Sequence, residues 1–186
     1  MRPSKRDELV RKALDTFYRK GFHATGMDLL AAETGISKTT VFKHFRSKEE
    51  LILAVLRLRD EQFRSWLFRR MKEAGAPRAQ LSAMFDALAE WFASPEFRSC
   101  ILIKAASAYP DHSHPIHAQA AEHKRLLFLE LERIAAAAGA EDPAGLARKL
   151  LLLKEGAIVT AHLGHEVDPA GDAKSAAQLL LSAVPV

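Results

Sequence analysis

The residues between Gly35 and Leu51 carry the densest chemistry in the chain. Ser37, Thr39 and Thr40 bring hydroxyls, Lys38, Lys43 and Lys48 bring ammonium groups, and His44 brings an imidazole. Spaced along one short helix behind a glycine turn, they make a face of donors and cations, suited to the acceptor edges and phosphates of a DNA groove. A second cluster invites a different reading. His112, His114, His117 and His123 lie near one another with Asp111 beside them, and His162 and His165 follow, a composition that metal sites share. Yet there is no His-Glu-x-x-His or Cys-x-x-Cys spacing, and alternate loop histidines need not converge. His117 and His123, six apart, fall on different faces of a regular helix. Cys100, the single cysteine, has the chemistry of a redox sensor, but a lone cysteine on an apolar helix is usually core. The sequence therefore predicts no catalytic residue, no metal and no cofactor.

A face of this kind is positioned by a helix-turn-helix, which sets a short helix into the major groove. Thr25-Gly26-Met27-Asp28 fits the capping-box pattern, in which the threonine oxygen accepts an orphan backbone N–H and the acid three residues on reaches back. Leu29, Leu30 and Ala32 give the following helix an apolar face, and Gly35 ends it with a residue that tolerates positive φ. Ser37 then caps the recognition helix, and Ser47-Lys48-Glu49-Glu50 is a second capping box opening the next helix. Upstream, Leu9, Val10, Ala13, Leu14 and Phe17 recur at helical spacing and Gly21 stops the run, so a first helix covers 5–20.

Residues 5–56 resemble the DNA-binding domain of the tetracycline-repressor (TetR) family of bacterial regulators. The resemblance is carried by Phe17, Gly21, Phe22, Thr25, Gly35, Ser37, Lys38, Thr40, His44, Phe45, Lys48, Glu50 and Leu51, without a gap. Two residues depart from the family pattern. Thr39 stands where glycine is usual and adds a hydroxyl and a methyl near the groove. Phe42 stands where tyrosine is usual and removes a phenolic hydroxyl that in such proteins can bond a DNA phosphate. The assignment that follows puts Thr39, Thr40 and Lys43 at base edges and Thr25, His44 and Lys48 at the phosphate backbone, with Ser37, Lys38 and Phe42 completing the DNA-binding set. Phe45, and Phe42 as an alternative, would instead pack the helix onto its own domain.

Composition agrees. With 186 residues, 48% hydrophobic and 27% charged, the chain can bury a sizeable core as one or two domains. Its net charge of +4 is unevenly placed: residues 1–72 hold 17 Lys/Arg against 9 Asp/Glu, and the remainder 10 against 14. A basic N-terminal part on a mildly acidic body fits a polyanion-binding head, although a solvated charged surface alone would look similar. One cysteine excludes an internal disulfide. The N-terminus has no apolar signal-peptide core and no run of about 18 apolar residues exists, so a cytoplasmic location is expected.

Beyond residue 56 the pattern stays helical, and an all-α fold of about nine helices is expected, with a head over 1–50 and a ligand-binding and dimerisation domain over 51–186. The helix from Lys48 runs to about Glu73, and Leu81, Met84, Phe85, Leu88, Trp91 and Phe92 form the next stripe. Further helices are expected over Glu96–Ser107, from Pro115 to Gly139, from Asp142-Pro143 to Gly164, and from Asp172 to about Val184. The last two helices are apolar on more than one side. Leu146, Leu150, Leu153, Ala157, Ile158 and Ala161 make one wide stripe and Leu179, Leu180 and Leu181 another, so they read as an oligomer surface, with Leu150, Leu153, Ala157, Ala161 and Leu180 at the contact. A fully internal helix is the alternative. The resemblance implies that these helices pair as a four-helix bundle in a C2 dimer. It also implies a small-molecule pocket in the body, for which Phe85, Trp91, Phe92, Cys100, Ile103, Tyr109, His123 and Phe128 are candidates, facing an apolar or aromatic effector.

The function expected from all this is a sequence-specific, ligand-responsive transcriptional regulator, most simply a repressor, that binds a pseudo-palindromic double-stranded DNA operator as a homodimer and is not an enzyme. A metal-dependent enzyme with a DNA-binding head and a nonspecific DNA-coating protein are the alternatives.

Overall fold

The computed structural model describes residues 4–164 and 168–184, and among these every regular element is a helix. In order they are α1 (Lys5–Lys20), α2 (Met27–Thr34), α3 (Lys38–His44), α4 (Lys48–Lys72), α5 (Pro77–Ala93), α6 (Ile101–Ala108), α7 (Pro115–Ala137), α8 (Pro143–Leu163) and α9 (Pro169–Leu181). The chain divides into two compact units. Met1–Gln62 with Ile101–His123 make the first, Phe63–Cys100 with Lys124–Val186 the second, and α4 and α7 give residues to both.

In the first unit, local signals set the helix ends. Ser4 caps α1 by accepting the Asp7 N–H at 3.1 Å, and the Gly21 N–H closes the helix onto the Phe17 carbonyl at 2.9 Å. Gly35, with φ 66°, supplies the left-handed turn between α2 and α3. The second capping box forms with one variation. The Glu50 N–H donates to Ser47 Oγ at 3.1 Å, but the Glu50 carboxylate accepts from the Arg46 backbone N–H at 2.6 Å, one residue before the expected partner. The first capping box does not form: the cap of α2 is Gly26, and the Thr25 hydroxyl donates instead to the Gly21 carbonyl at 2.6 Å. Leu9, Ala13, Leu30, Val41, Leu51, Ile52, Val55 and Leu56 are fully buried here, each worth roughly 1.5–3 kcal/mol for a side chain of Val or Leu size. Into this core are set Asp60 and His123, whose Nδ1 lies 2.7 Å from Asp60 Oδ1 with both side chains buried.

The second unit is built on α5, α8 and α9, which pack on one another. Two starts differ from the sequence reading. Helix α6, in the first unit, begins at Ile101 rather than Glu96, because Ser99 adopts φ 69°, a left-handed backbone that no helix continues through. Helix α9 begins at Pro169, not Asp172. Its cap is Asp168, which accepts the Gly171 N–H at 2.9 Å, just as Asp142 caps α8 by accepting the Gly145 N–H at 2.8 Å. Both starts are the same tetrapeptide, Asp-Pro-Ala-Gly. Its glycine leaves room for the cap: a Cβ on Gly145 or Gly171 would fall 1.9 or 2.2 Å from the capping aspartate's Oδ2.

Candidate nucleic-acid interface

Helix α3 is held by one side and presents the other. Val41 is fully buried, with Ile36 and Phe45 nearly so on either side of the helix, and α1, α2 and α3 pack mutually. Ser37 fixes the N-terminus twice, accepting the Thr40 N–H at 3.2 Å and sharing a hydrogen bond with the Thr40 hydroxyl at 2.8 Å. With that turn set, Lys38, Thr39, Phe42 and Lys43 all point to solvent. Phe42 is 45% exposed, so it is not core, and the Lys38 ammonium lies 6.0 Å from its ring centroid. Phe45 is the ring that packs inward, with the Arg6 guanidinium 5.0 Å above it.

Charge sharpens this face. Four cations of α1 are paired: Lys5 and Lys12 with Glu8, whose carboxyl they hold down at about 2, and Arg19 and Lys20 with Glu33, which is lowered by the same kind of contact. Lys38 meets Asp28 at 2.7 Å. Lys43 and Arg46, on α3 and just past it, have no carboxylate partner among the described residues. Arg46 gave no sign of this in the sequence, because Glu50 four residues on is the ordinary place for its partner. In the fold that carboxylate is spent on the Arg46 backbone instead.

Three backbone-contact assignments change in weight. Thr25 is fully buried and its hydroxyl is committed to Gly21, so it shapes the α1–α2 turn and is withdrawn from the DNA-contacting set. Lys48 gives one of its three donors to the Phe22 carbonyl at 3.1 Å, which ties α4 to that turn and leaves the ammonium at its edge. His44 is half-buried at the C-terminal end of α3.

This outward helix on a three-helix head matches a known arrangement. Residues 9–55 match the model of bacterial regulatory proteins of the tetR family. Over 154 residues, 82% of this chain and 81% of the relative, the sequence is 25% identical to the HTH-type transcriptional regulator YjdC of Escherichia coli K12. Over 86 residues, 46% of this chain and 39% of the relative, it is 35% identical to the HTH-type transcriptional activator FasR of Mycolicibacterium smegmatis. Among solved structures, the TetR-family transcriptional regulator SCO4454 of Streptomyces coelicolor is similar over 98% of this chain and 91% of its own, with a TM-score of 0.89 and 28% identity.

Residues 9–55 are a TetR-family DNA-binding head.

In the body that follows this TetR-family head, the residues sort differently from the sequence expectation. The eight pocket candidates divide between the two units. Ile103, Tyr109 and His123 are in the first, and Phe85, Trp91, Phe92, Cys100 and Phe128 in the second. Ile103 is 41% exposed. His123 is taken up by Asp60, and Tyr109 packs with Phe22, His23 and His114. Trp91 and Phe92 do meet, as part of a run of rings. Phe63, Trp91 and Phe97 follow one another at centroid distances of 5.0 and 4.9 Å, and Phe92 lies 5.0 Å from Phe97. Phe85 is buried, whereas Phe128 is half-exposed. A groove of about 530 Å³ in the same unit, lined by residues including Phe68, Glu130 and Ile134, contains none of the eight.

The histidines near 112–123 serve the local fold. His117 Nδ1 lies 2.9 Å from the Tyr109 carbonyl oxygen, the His112 and His117 rings stack at 4.4 Å, and His23 Nε2 lies 2.8 Å from the Ala108 carbonyl oxygen. Among the described residues no three His, Cys, Asp or Glu side chains are placed to share a metal ion. His165 lies outside the described residues. None of the described helices is long and apolar enough to cross a membrane.

On α8 and α9 the apolar surface splits by depth. Leu150 and Ala157 are buried in the chain's own core, so their expected place at a contact between copies is corrected. Leu153, Ala161 and Leu180 are half-buried. The open face is carried by Leu152 at 74% exposed, Val159, Leu163 and, on α9, Leu179 at 77%. Its α8 members follow the spacing i, i+7, i+11, with Gly156 between. The expected contact residues thus divide between the chain's own core and half-buried positions, and the most open leucines are others.

Proposed function

We propose that this TetR-family regulator is a cytoplasmic, ligand-responsive repressor that binds a pseudo-palindromic operator as a homodimer. In this reading residues 1–50 are the DNA-binding head and 51–186 carry effector binding and dimerisation. The observation that carries the DNA-binding part is the outward side of α3, where Lys43 is exposed and has no carboxylate partner among the described residues and Thr39 and Phe42 stand beside it. Lys43 suits guanine acceptors, the Thr39 and Phe42 carbons suit the thymine methyl, and Arg46, Lys48 and His44 suit phosphates. A single α3 has seven residues and spans only a few base pairs, so two heads related by a dyad supply the specificity. The open leucine face of α8 and α9 supports that dimer, because a contiguous apolar surface of this kind marks an interaction site.

Selection of bound sequences from random double-stranded DNA tests the reading. A recovered palindrome with two short half-sites supports it, and recovery of no preference, with binding that follows salt alone, would replace it with nonspecific coating. A promoter fusion bearing the selected site then separates repression from the activation that FasR is named for: reporter output should rise when the gene for this chain is deleted.

A further inference from the structure

One buried charge in the second unit has no part in the DNA face or in the α8–α9 surface. Lys154, in the middle of α8, is 1% exposed, which lysine almost never is. Its ammonium lies 2.7 Å from Glu155 Oε1 and 5.4 Å from the centroid of the Phe63 ring. The same carboxylate oxygen is 2.7 Å from the Lys124 ammonium, which in turn lies 4.0 Å from Cys100 Sγ. Two cations therefore share one carboxylate. Lys124 alone would satisfy Glu155 from the more open side, since both are about a quarter exposed, and the deeper lysine is surplus to that pair.

An internal cation that shares its counter-charge with a second cation is expensive to keep, and a purely structural role is better served by an apolar residue. The titration shifts agree with the geometry. Burial, joined by repulsion from Lys124, pushes the Lys154 ammonium down from the usual lysine range, and Glu155 only partly offsets it. Burial would raise Glu155, but Lys154 and Lys124 together outweigh it and hold that carboxyl at about 2. Two ammoniums thus meet on one carboxylate oxygen, and a second anion would balance them. Beside Lys154, Phe63 begins the run of rings through Trp91 to Phe97, and Trp91, Phe92 and Phe97 are only partly covered.

We propose that the effector carries an anionic group, a carboxylate that joins Glu155 at the Lys154 and Lys124 ammoniums, with its apolar body against Phe63 and Trp91. This rests on the ligand-responsive reading above and replaces a simply apolar or aromatic effector with an amphipathic acid. An apolar wall beside a few convergent polar groups is what small-molecule sites use, and a charge-assisted bond there would set specificity.

Isothermal titration of the full-length protein with 2-naphthoate and with its neutral isostere 2-naphthamide tests the proposal. The acid should bind about tenfold or more tightly than the amide, the factor expected of a charge-assisted bond. Lys154→Met should remove that preference while leaving amide binding and the melting temperature unchanged or raised. Lys124→Gln, a change at a part-exposed position, should reduce the preference and provides the test if Lys154→Met fails to fold. Equal binding of acid and amide, binding of neither, or a preference that survives both substitutions overturns the anionic site. Operator release distinguishes the two levels of the claim. Release by the amide as readily as by the acid would leave the ligand-responsive reading standing and remove the anion. Acid binding through Lys154 that leaves operator affinity unchanged would keep the site and remove its regulatory role, since an effector acts only through differential affinity for two states.

Discussion

Helices α3 and α8 show two ways for a sequence to place a helix. Helix α3 has seven residues and is positioned by signals within a few residues of its ends: Gly35 in the left-handed turn, Ser37 on the first N–H groups, and Val41 and Phe45 turned inward. Helix α8 has 21 residues, most of them apolar, and its ends are capped as clearly, yet the caps do not say which side faces the core. Leu150 is fully buried and Leu152, two residues on, is 74% exposed, although the two are chemically identical. Local hydrogen bonds can fix where a helix begins and how its polar face points. They cannot rank two apolar faces, which is decided by what α5 and α9 bring to meet them.

The pair Leu150 and Leu152 is where that contrast breaks most violently. Leu150→Glu places an unpaired carboxylate in a closed core and should cost several kcal/mol, enough to abolish a cooperative melting transition. Leu152→Glu should leave the melting transition of the monomer in place and shift sedimentation from dimer to monomer at micromolar concentration. If Leu152→Glu sediments as wild type, the two copies meet elsewhere and the open face serves another partner.

A second test asks whether the body carries charge inside as the head carries it outside. Glu155 is held at about 2 against an ordinary value of 4.5, so its folded form binds protons less readily than the unfolded chain. Its contribution is fully present above pH 4.5 and is lost as pH falls through about 2, amounting to up to about 3 kcal/mol over that window. Denaturant unfolding of the wild type and Glu155→Gln between pH 2 and 6 should give curves that differ most above pH 5 and converge near pH 2. Parallel curves would mean that the two lysines do not depend on this carboxylate.

On the DNA side, the expected losses are of similar size or smaller and of a different kind. Lys43→Ala should weaken operator binding by about 1–3 kcal/mol and relax selection at one position in each half-site. Arg46→Ala should weaken binding to all sequences alike and lower the slope of affinity against salt by about one phosphate. Phe42→Tyr restores a hydroxyl on a ring that is already at the surface, so stability should hold, and any gain in affinity, up to about 1.5–3 kcal/mol, measures a phosphate within its reach. A Lys43 variant that keeps the selected sequence, paired with an Arg46 variant that changes it, would reverse the two roles.

These residues also mark how far the chain could be read in advance. Helix α1, the turn at Gly35, the Ser37 cap and the outward Lys43 follow from spacing and cap chemistry, because each depends on neighbours only a few residues away. Thr25 was misread for an instructive reason: its hydroxyl had two backbone partners within reach, the N–H groups of α2 and the carbonyl of Gly21, and only the path of the α1–α2 turn chooses between them. The Asp60–His123 pair spans 63 residues and the Lys124–Glu155 pair 31, and nothing short of the packed core brings either together. Lys154 in particular is of a residue type that a helical pattern alone leaves at the surface. Its burial depends on Phe63 and Lys124, which belong to other helices.

The smallest predicted effect concerns a signal that was present in the sequence and is written twice. Asp142-Pro143-Ala144-Gly145 and Asp168-Pro169-Ala170-Gly171 open α8 and α9 with the same bonds, and each aspartate should be worth about 0.5–2 kcal/mol when replaced by alanine. The glycine three residues on is part of the same device, because a Cβ there would occupy the space of the capping carboxylate. Alanine is otherwise the better helix former by about 1 kcal/mol, so the two residues must be coupled. Gly145→Ala in the wild type should expel the Asp142 side chain and give no net gain, or a loss of up to about 1 kcal/mol. In an Asp142→Ala background, with no carboxylate left to displace, the same change should stabilise by about 1 kcal/mol. A double-mutant cycle read by denaturant unfolding gives the difference directly, and the parallel cycle at Asp168 and Gly171 should repeat its sign. Additive effects at both ends would mean that the aspartates and glycines act separately, and the repeated tetrapeptide would then be no capping unit at all.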